Sequence, residues 1–141
     1  MNPSPFRFEG MTLTVESVPR SLDFYAGKLG IAVEFDATPN FALLRIGGDS
    51  GGTIGLLSSA LAEKEGAEAT SPAQKRSIHV EFSTDDLDGL YDVLKAKGVL
   101  FHQPPHDEPW ERSMTALDPD GYAVEFAQGR RGRNATTGES R

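Results

Sequence analysis

Apolar and polar residues alternate along Met11-Thr12-Leu13-Thr14-Val15, a strand pattern with Met11, Leu13 and Val15 on one face and Gly10, Thr12 and Thr14 on the other. The period then changes: Leu22, Tyr25 and Leu29 recur at helical spacing, Pro19 suits a first turn and Gly30 ends the run, so a helix is expected from Val18 to Leu29. Ile31 to Phe35 and Phe41 to Ile46 are runs of strand formers separated by Pro39 and Asn40, the pattern of a hairpin. Beyond the flexible turn Gly47 to Gly52, Thr53 to Ser58 is a further strand in which Ile54 and Leu56 share one face and Gly55 lies on the other. From Ser59 to Arg76 the alternation disappears into Ala, Glu, Lys, Ser and Thr, which predicts a solvated linker with a turn of helix at Ala60 to Glu65.

The pattern then restarts. Ile78, Val80 and Phe82 alternate with His79, Glu81 and Ser83; Asp85 or Asp86 caps a helix carrying Leu87, Leu90, Val93 and Leu94; and Gly98 closes it. Val99 to Gln103 reads as a strand, Pro104 to Trp110 as irregular, and Glu111 to Leu117 as a strand. The turn Asp118-Pro119-Asp120-Gly121 leads into a last strand with Tyr122, Val124 and Phe126 on one face and Ala123 and Glu125 on the other.

Two copies of one unit are therefore expected, each a strand, a helix and three strands, over residues 8–58 and 77–128 with the linker at 59–76. Leu22 matches Leu90 and Gly30 matches Gly98 at 68 residues, Gly10 matches His79 at 69, and Gly55 matches Glu125 at 70. One such unit cannot cover its own apolar sheet face and helix, so the two are expected to make one α+β domain of eight strands spanning 1–141. If the apolar alternates pack on helices, then Gly10, Thr12, Thr14, Gly55, His79, Glu81, Ser83, Ala123 and Glu125 face away from them. Small and polar residues there fit the wall of a ligand cavity; a flat solvated face would carry more Lys and Glu.

Composition narrows the chemistry. Fourteen Lys and Arg against 21 Asp and Glu give a net charge of -7, which opposes binding to phosphate backbones, so no nucleic-acid partner is expected. The absence of cysteine excludes disulfides, thiolate metal sites and cysteine nucleophiles. No stretch approaches the roughly 20 apolar residues of a membrane span, and Met1 to Gly10 has no apolar leader core, so a cytoplasmic protein without membrane contact is expected. The run from Gly129 lacks apolar periodicity and is expected to form a flexible tail over 129–141, its basic cluster too short to imply a nucleic-acid role.

The opening strand followed by Val18-Pro19-Arg20-Ser21-Leu22-Asp23-Phe24-Tyr25 and Leu29-Gly30, then Ile78-His79-Val80-Glu81-Phe82, Pro109-Trp110 and Asp118-Pro119-Asp120-Gly121-Tyr122-Ala123-Val124-Glu125, resembles the vicinal oxygen chelate superfamily of glyoxalases, bleomycin-resistance proteins and extradiol dioxygenases. The resemblance covers roughly Phe8 to Gln128 and implies two βαβββ modules in a cupped mixed sheet of eight strands around a cavity. It also implies metal ligands on the first and last strands of each half, which fall on Gly10, Gly55, His79 and Glu125. His79 and Glu125 are ligand-type residues and the two glycines are not, whereas catalytic metal sites usually take three protein ligands. Glu81 shares the face of His79 but lies one pleat away.

Two functional readings follow. In the first, the cavity holds a small organic ligand without a complete metal centre, with Thr12, Thr14, Glu81, Trp110 and Arg112 as contact residues, and His79 as a base partnered by Glu125 or only a hydrogen-bonded cavity residue. In the second, His79 and Glu125 bind a divalent metal for lyase, isomerase or dioxygenase chemistry; the cofactor expectation is thus either none or a divalent ion, and turnover stays open. Metal-free chemistry with His79 as base is a third possibility. Trp110 either stacks on a ligand or seals a sheet edge, Arg45 and Arg112 are also candidates for rim ion pairs, and His102 and His106, with Pro104 and Pro105 between them, read as surface loop residues. An open sheet edge and the family pattern make a homodimer the expected assembly. A ferredoxin-like dimer, with four strands per unit and a different helix order, is the competing fold.

Overall fold

A computed structural model of the protein describes residues 5–129, so most of the expected tail lies outside the described residues. The chain divides between Ala69 and Thr70 into two compact units. The first contains β1 (Gly10–Val15), α1 (Val18–Leu22), β2 (Ala32–Ala37), β3 (Phe41–Arg45), β4 (Thr53–Ser58) and α2 (Ser59–Lys64). The second contains α3 (Pro72–Arg76), β5 (His79–Ser83), α4 (Leu87–Ala96), β6 (Leu100–Glu108), β7 (Glu111–Leu117) and β8 (Ala123–Gln128). Each unit holds one mixed sheet of four strands, ordered β1-β4-β3-β2 in the first and β5-β8-β7-β6 in the second. The order is the same in both: the helix leads from the first strand to the far edge of the sheet, two antiparallel hairpin pairs bring the chain back, and the last strand pairs parallel with the first. The twofold βαβββ plan and the α+β class are thus present, and the ferredoxin-like alternative is not.

Local chemistry accounts for the element ends. Ser17 Oγ accepts from Arg20 N–H at the start of α1, and Asp86 Oδ1 accepts from Gly89 N–H at the start of α4. The first helix continues past Leu22 as a wider π-helical stretch, Asp23–Lys28, with Leu29 N–H donating to Phe24 C=O. That wide turn carries the adjacent Phe24 and Tyr25 both into the core, their rings edge to face at 4.9 Å. In the turn before β8 Asp118 Oδ1 accepts from the backbone of Asp120 and Tyr122, and Gly121 takes a positive φ of 96°.

Burial follows the alternation in the sequence. Leu13, Val15, Ala42, Leu44, Ile54 and Leu56 form the helix-side core of the first unit, and Val80, Leu87, Leu94, Met114, Ala116, Val124 and Phe126 that of the second. Ile78 departs from the pattern: it precedes β5 and is partly exposed. No helix among the described residues is long and apolar enough to cross a membrane.

Two segments differ from expectation. The linker carries α2 and also α3, the latter fixed by a capping box in which Ser71 and Gln74 bond each other's backbone. Lys75 on α3 is 3% exposed and binds Asp120 at 2.7 Å, with its ammonium 5.7 Å from the Tyr122 ring centre, so the linker helix is bonded to the turn before β8. The expected irregular segment from Pro104 to Trp110 is mostly strand: β6 runs to Glu108, and only Pro109 and Trp110 turn. Its register with β7 slips between Phe101 and Gln103 and again between Gln103 and His106. The second slip takes Pro104 and Pro105, which have no N–H to donate, out of the ladder.

Candidate functional site

The two parallel ladders have the same register. Gly10 lies opposite Thr53 and Thr12 opposite Gly55 on β1 and β4; His79 lies opposite Ala123 and Glu81 opposite Glu125 on β5 and β8. The counterparts of His79, Glu81 and Glu125 are therefore Gly10, Thr12 and Gly55.

In the first unit the two glycine positions are closed as well as without side-chain donors. A Cβ on Gly10 would fall on the Thr53 carbonyl oxygen, which is backbone and cannot move aside cheaply. A Cβ on Gly55 would come 2.9 Å from Thr12 Oγ1 and 3.1 Å from the Phe41 ring. Thr12 is exposed and Thr14 half-buried on this face, while Phe41 approaches Phe35 with ring centres 6.5 Å apart. Arg45 lies at its end in an exposed pair with Glu34 at 2.7 Å.

The second unit has the opposite character. Arg112 bonds Asp88 on α4, and Phe101, opposite Ala116, contacts Tyr91 on α4, so the even-numbered positions of β7 face the helix and the odd-numbered ones face away. On the face away from α4, donor atoms of His79, Glu81 and Glu125 all lie within 4.8 Å of one another. His79 Nδ1 is 3.7 Å from Glu125 Oε1; the imidazole is half exposed and the carboxylate 16% exposed. Burial pushes the Glu125 carboxyl above its ordinary 4.5, the charge of Glu81 and the hydrogen bond and charge of Glu111 push it further, and His79 pulls the other way.

Glu111 is a member of this group that the sequence reading did not single out. It is 7% exposed and starts the row Glu111, Ser113, Thr115 on β7, with Thr115 directly opposite Glu125. The signal was available in the alternation of β7, once Arg112 is assigned to the helix side. A cavity of about 320 Å³ in this unit is lined by Arg76, His79, His102, Gln103, Thr115, Leu117 and Ala123. His102 is thus an exposed strand residue at a cavity and not a loop residue. His106 is also on β6, its Nδ1 2.9 Å from Pro104 O and its Nε2 3.0 Å from Glu108.

Among the expected contact residues of this unit, Glu81 joins His79 and Glu125, whereas Trp110 and Arg112 do not. Trp110 is 60% exposed in the β6–β7 turn, away from the cavity lining. Arg112 is engaged on the helix side by both oxygens of Asp88 and by Asp107.

The donor set fits a divalent cation: one imidazole and two carboxylates converge, which matches a three-ligand site with further positions left for ligand oxygens. The fit owes nothing to Gly10 or Gly55.

Comparison with known proteins agrees with this architecture. The chain is 33% identical over 122 residues to YraH, an uncharacterized protein of Bacillus subtilis (strain 168), covering 81% of this chain and 91% of that protein. A glyoxalase/bleomycin resistance protein/dioxygenase from Nocardioides superposes with a TM-score of 0.77 at 24% identity, over 99% of this chain and 93% of that one. A superfamily member from Sphaerobacter thermophilus gives 0.67 at 24% identity, over 87% and 98%. A glyoxalase-related enzyme from Fulvimarina pelagi gives 0.72 at 20%, over 95% and 96%. The family model of the glyoxalase/bleomycin resistance protein/dioxygenase superfamily matches residues 7–126, and the chain belongs to that superfamily.

Proposed function

We propose that the protein binds a small, oxygen-bearing organic molecule on the helix-free face of its second unit, without the four-position metal centre usual in its family. The observation that carries this reading is the 320 Å³ cavity in which His79 is at once a wall residue and a neighbour of Glu125. Arg76, Gln103 and Thr115 supply donors for ligand oxygens, and Leu117 and Ala123 supply apolar wall. Titration with a panel of molecules bearing adjacent oxygens, such as 2-oxo acids and catechols, tests it. Binding that persists in EDTA and weakens in Arg76→Ala supports the reading; binding indifferent to both Arg76→Ala and Thr115→Val overturns it.

A second reading, metal-dependent lyase, isomerase or dioxygenase chemistry, is favoured by the convergence of His79, Glu81 and Glu125 donors within 4.8 Å. A divalent ion held there would act as a Lewis acid on two adjacent substrate oxygens. The chain's own part is then to hold the ion with those three side chains and to orient the substrate with Arg76, Gln103 and Thr115. Glu111, beside Glu125, is placed to hold that carboxylate in position.

A further inference from the structure

We propose that Glu81 is the third protein ligand of a divalent-cation site lying wholly on the β5–β8 strand pair, in the role that the family gives to a first-strand residue of the other half. The inference rests on the second, metal-dependent reading and adds to it a ligand and a location.

Three observations lead there. First, the position that would ordinarily donate, Gly10, cannot take a side chain without moving the Thr53 backbone, so the missing ligand is not replaced where it was lost. Second, Glu81 is the ladder partner of Glu125 on a parallel neighbour strand, so both carboxylates leave the sheet side by side on one face, with His79 one pleat along. Their donor atoms lie within 4.8 Å of one another, close enough to share one ion. Third, the corresponding residue of the first unit is Thr12, a neutral hydroxyl, so the carboxylate at this register belongs to the second unit alone. Two carboxylates held this close repel each other, and a cation between them removes that repulsion. A set of one imidazole and two carboxylates, in a chain without cysteine, suits oxygen-preferring ions such as Mn²⁺ and not soft, thiolate-seeking ones.

The test uses the full chain freed of metal with chelator, then titrated with Mn²⁺ alone and followed by electron paramagnetic resonance and calorimetry. One Mn²⁺ is expected per chain. Glu81→Gln should weaken binding at least about tenfold, Glu81→Asp should recover part of the loss, and Glu34→Gln, in an exposed pair of the first unit, should leave it unchanged. Because Glu81 is exposed and its charge repels that of Glu125, its glutamine variant should keep the wild-type circular dichroism and melt no lower than wild type without metal. Wild-type affinity in Glu81→Gln, with binding lost in His79→Ala, would overturn the assignment of Glu81 and leave the metal-dependent reading standing. No Mn²⁺ bound by the wild type at millimolar concentration would overturn both. The organic-ligand reading is judged apart from these, by the Arg76→Ala titration in EDTA.

Discussion

Glu125 shows how much one side chain's surroundings matter. Its carboxyl is raised above 4.5 chiefly by burial and then by Glu81 and Glu111, so the folded state holds its proton more tightly than the unfolded state. The stabilisation this gives is complete below pH 4.5 and is lost as pH rises through the folded value. Glu125→Gln is therefore expected to melt higher than wild type at pH 7, with the gap closing in melts below pH 4.5. His106 has a link to pH of the same sign. The Pro104 carbonyl and Glu108 both accept from its ring, which needs a proton on each nitrogen, so its pKa is held above 6.5 and its stabilisation is present below 6.5 and fades above. Histidine titration by NMR should find His106 above 6.5, and Glu108→Gln should lower it. The sequence disclosed His79, Glu81 and Glu125 because strand alternation alone decides which way they point. It did not disclose Arg112, whose direction depends on Asp88 on α4, a partner 24 residues away.

At the level of elements, strands and long helices were legible because their periods are local, and the glycines at 30 and 98 did stop the two helices in positive φ. The linker was less legible, since what makes α3 matter is a single lysine reaching a turn 45 residues on. With Lys75 and Asp120 both nearly buried, Lys75→Met should take the ammonium away from a buried carboxylate and cost about 3–5 kcal/mol in urea unfolding. β6 was misjudged because two prolines look like a broken strand; a bulge lets the strand pass them. At the β1–β4 seam, Gly10→Ala should cost about 1–3 kcal/mol through its collision with the Thr53 backbone. Gly10→His should cost at least as much and create no additional metal affinity. An unperturbed unfolding curve for Gly10→Ala would contradict the close approach.

For the molecule as a whole, the duplication was readable from spacing, and the matched registers of the two sheets corroborate it. What spacing could not convey is that the repeats have diverged in kind, one face lined by Phe35, Phe41 and glycine, the other by carboxylates and imidazoles. The edge strand β2 leaves Val33 44% and Phe35 56% exposed on its two faces, which supports self-association through that edge. Light scattering at micromolar concentration is expected to give a dimer, and Phe35→Glu a monomer; a monomeric wild type would end that proposal. The pairing of Glu81 with Glu125 has a consequence for how such a protein can change. Adjacent strands in a sheet sit about 4.7–4.9 Å apart whatever connects them, so the backbone ladder acts as a fixed ruler for the two carboxylates. The connections around it, including the Pro109–Trp110 turn and the stretch before Pro72, can then be lengthened, shortened or exchanged as cassettes while the floor of the site keeps its dimensions.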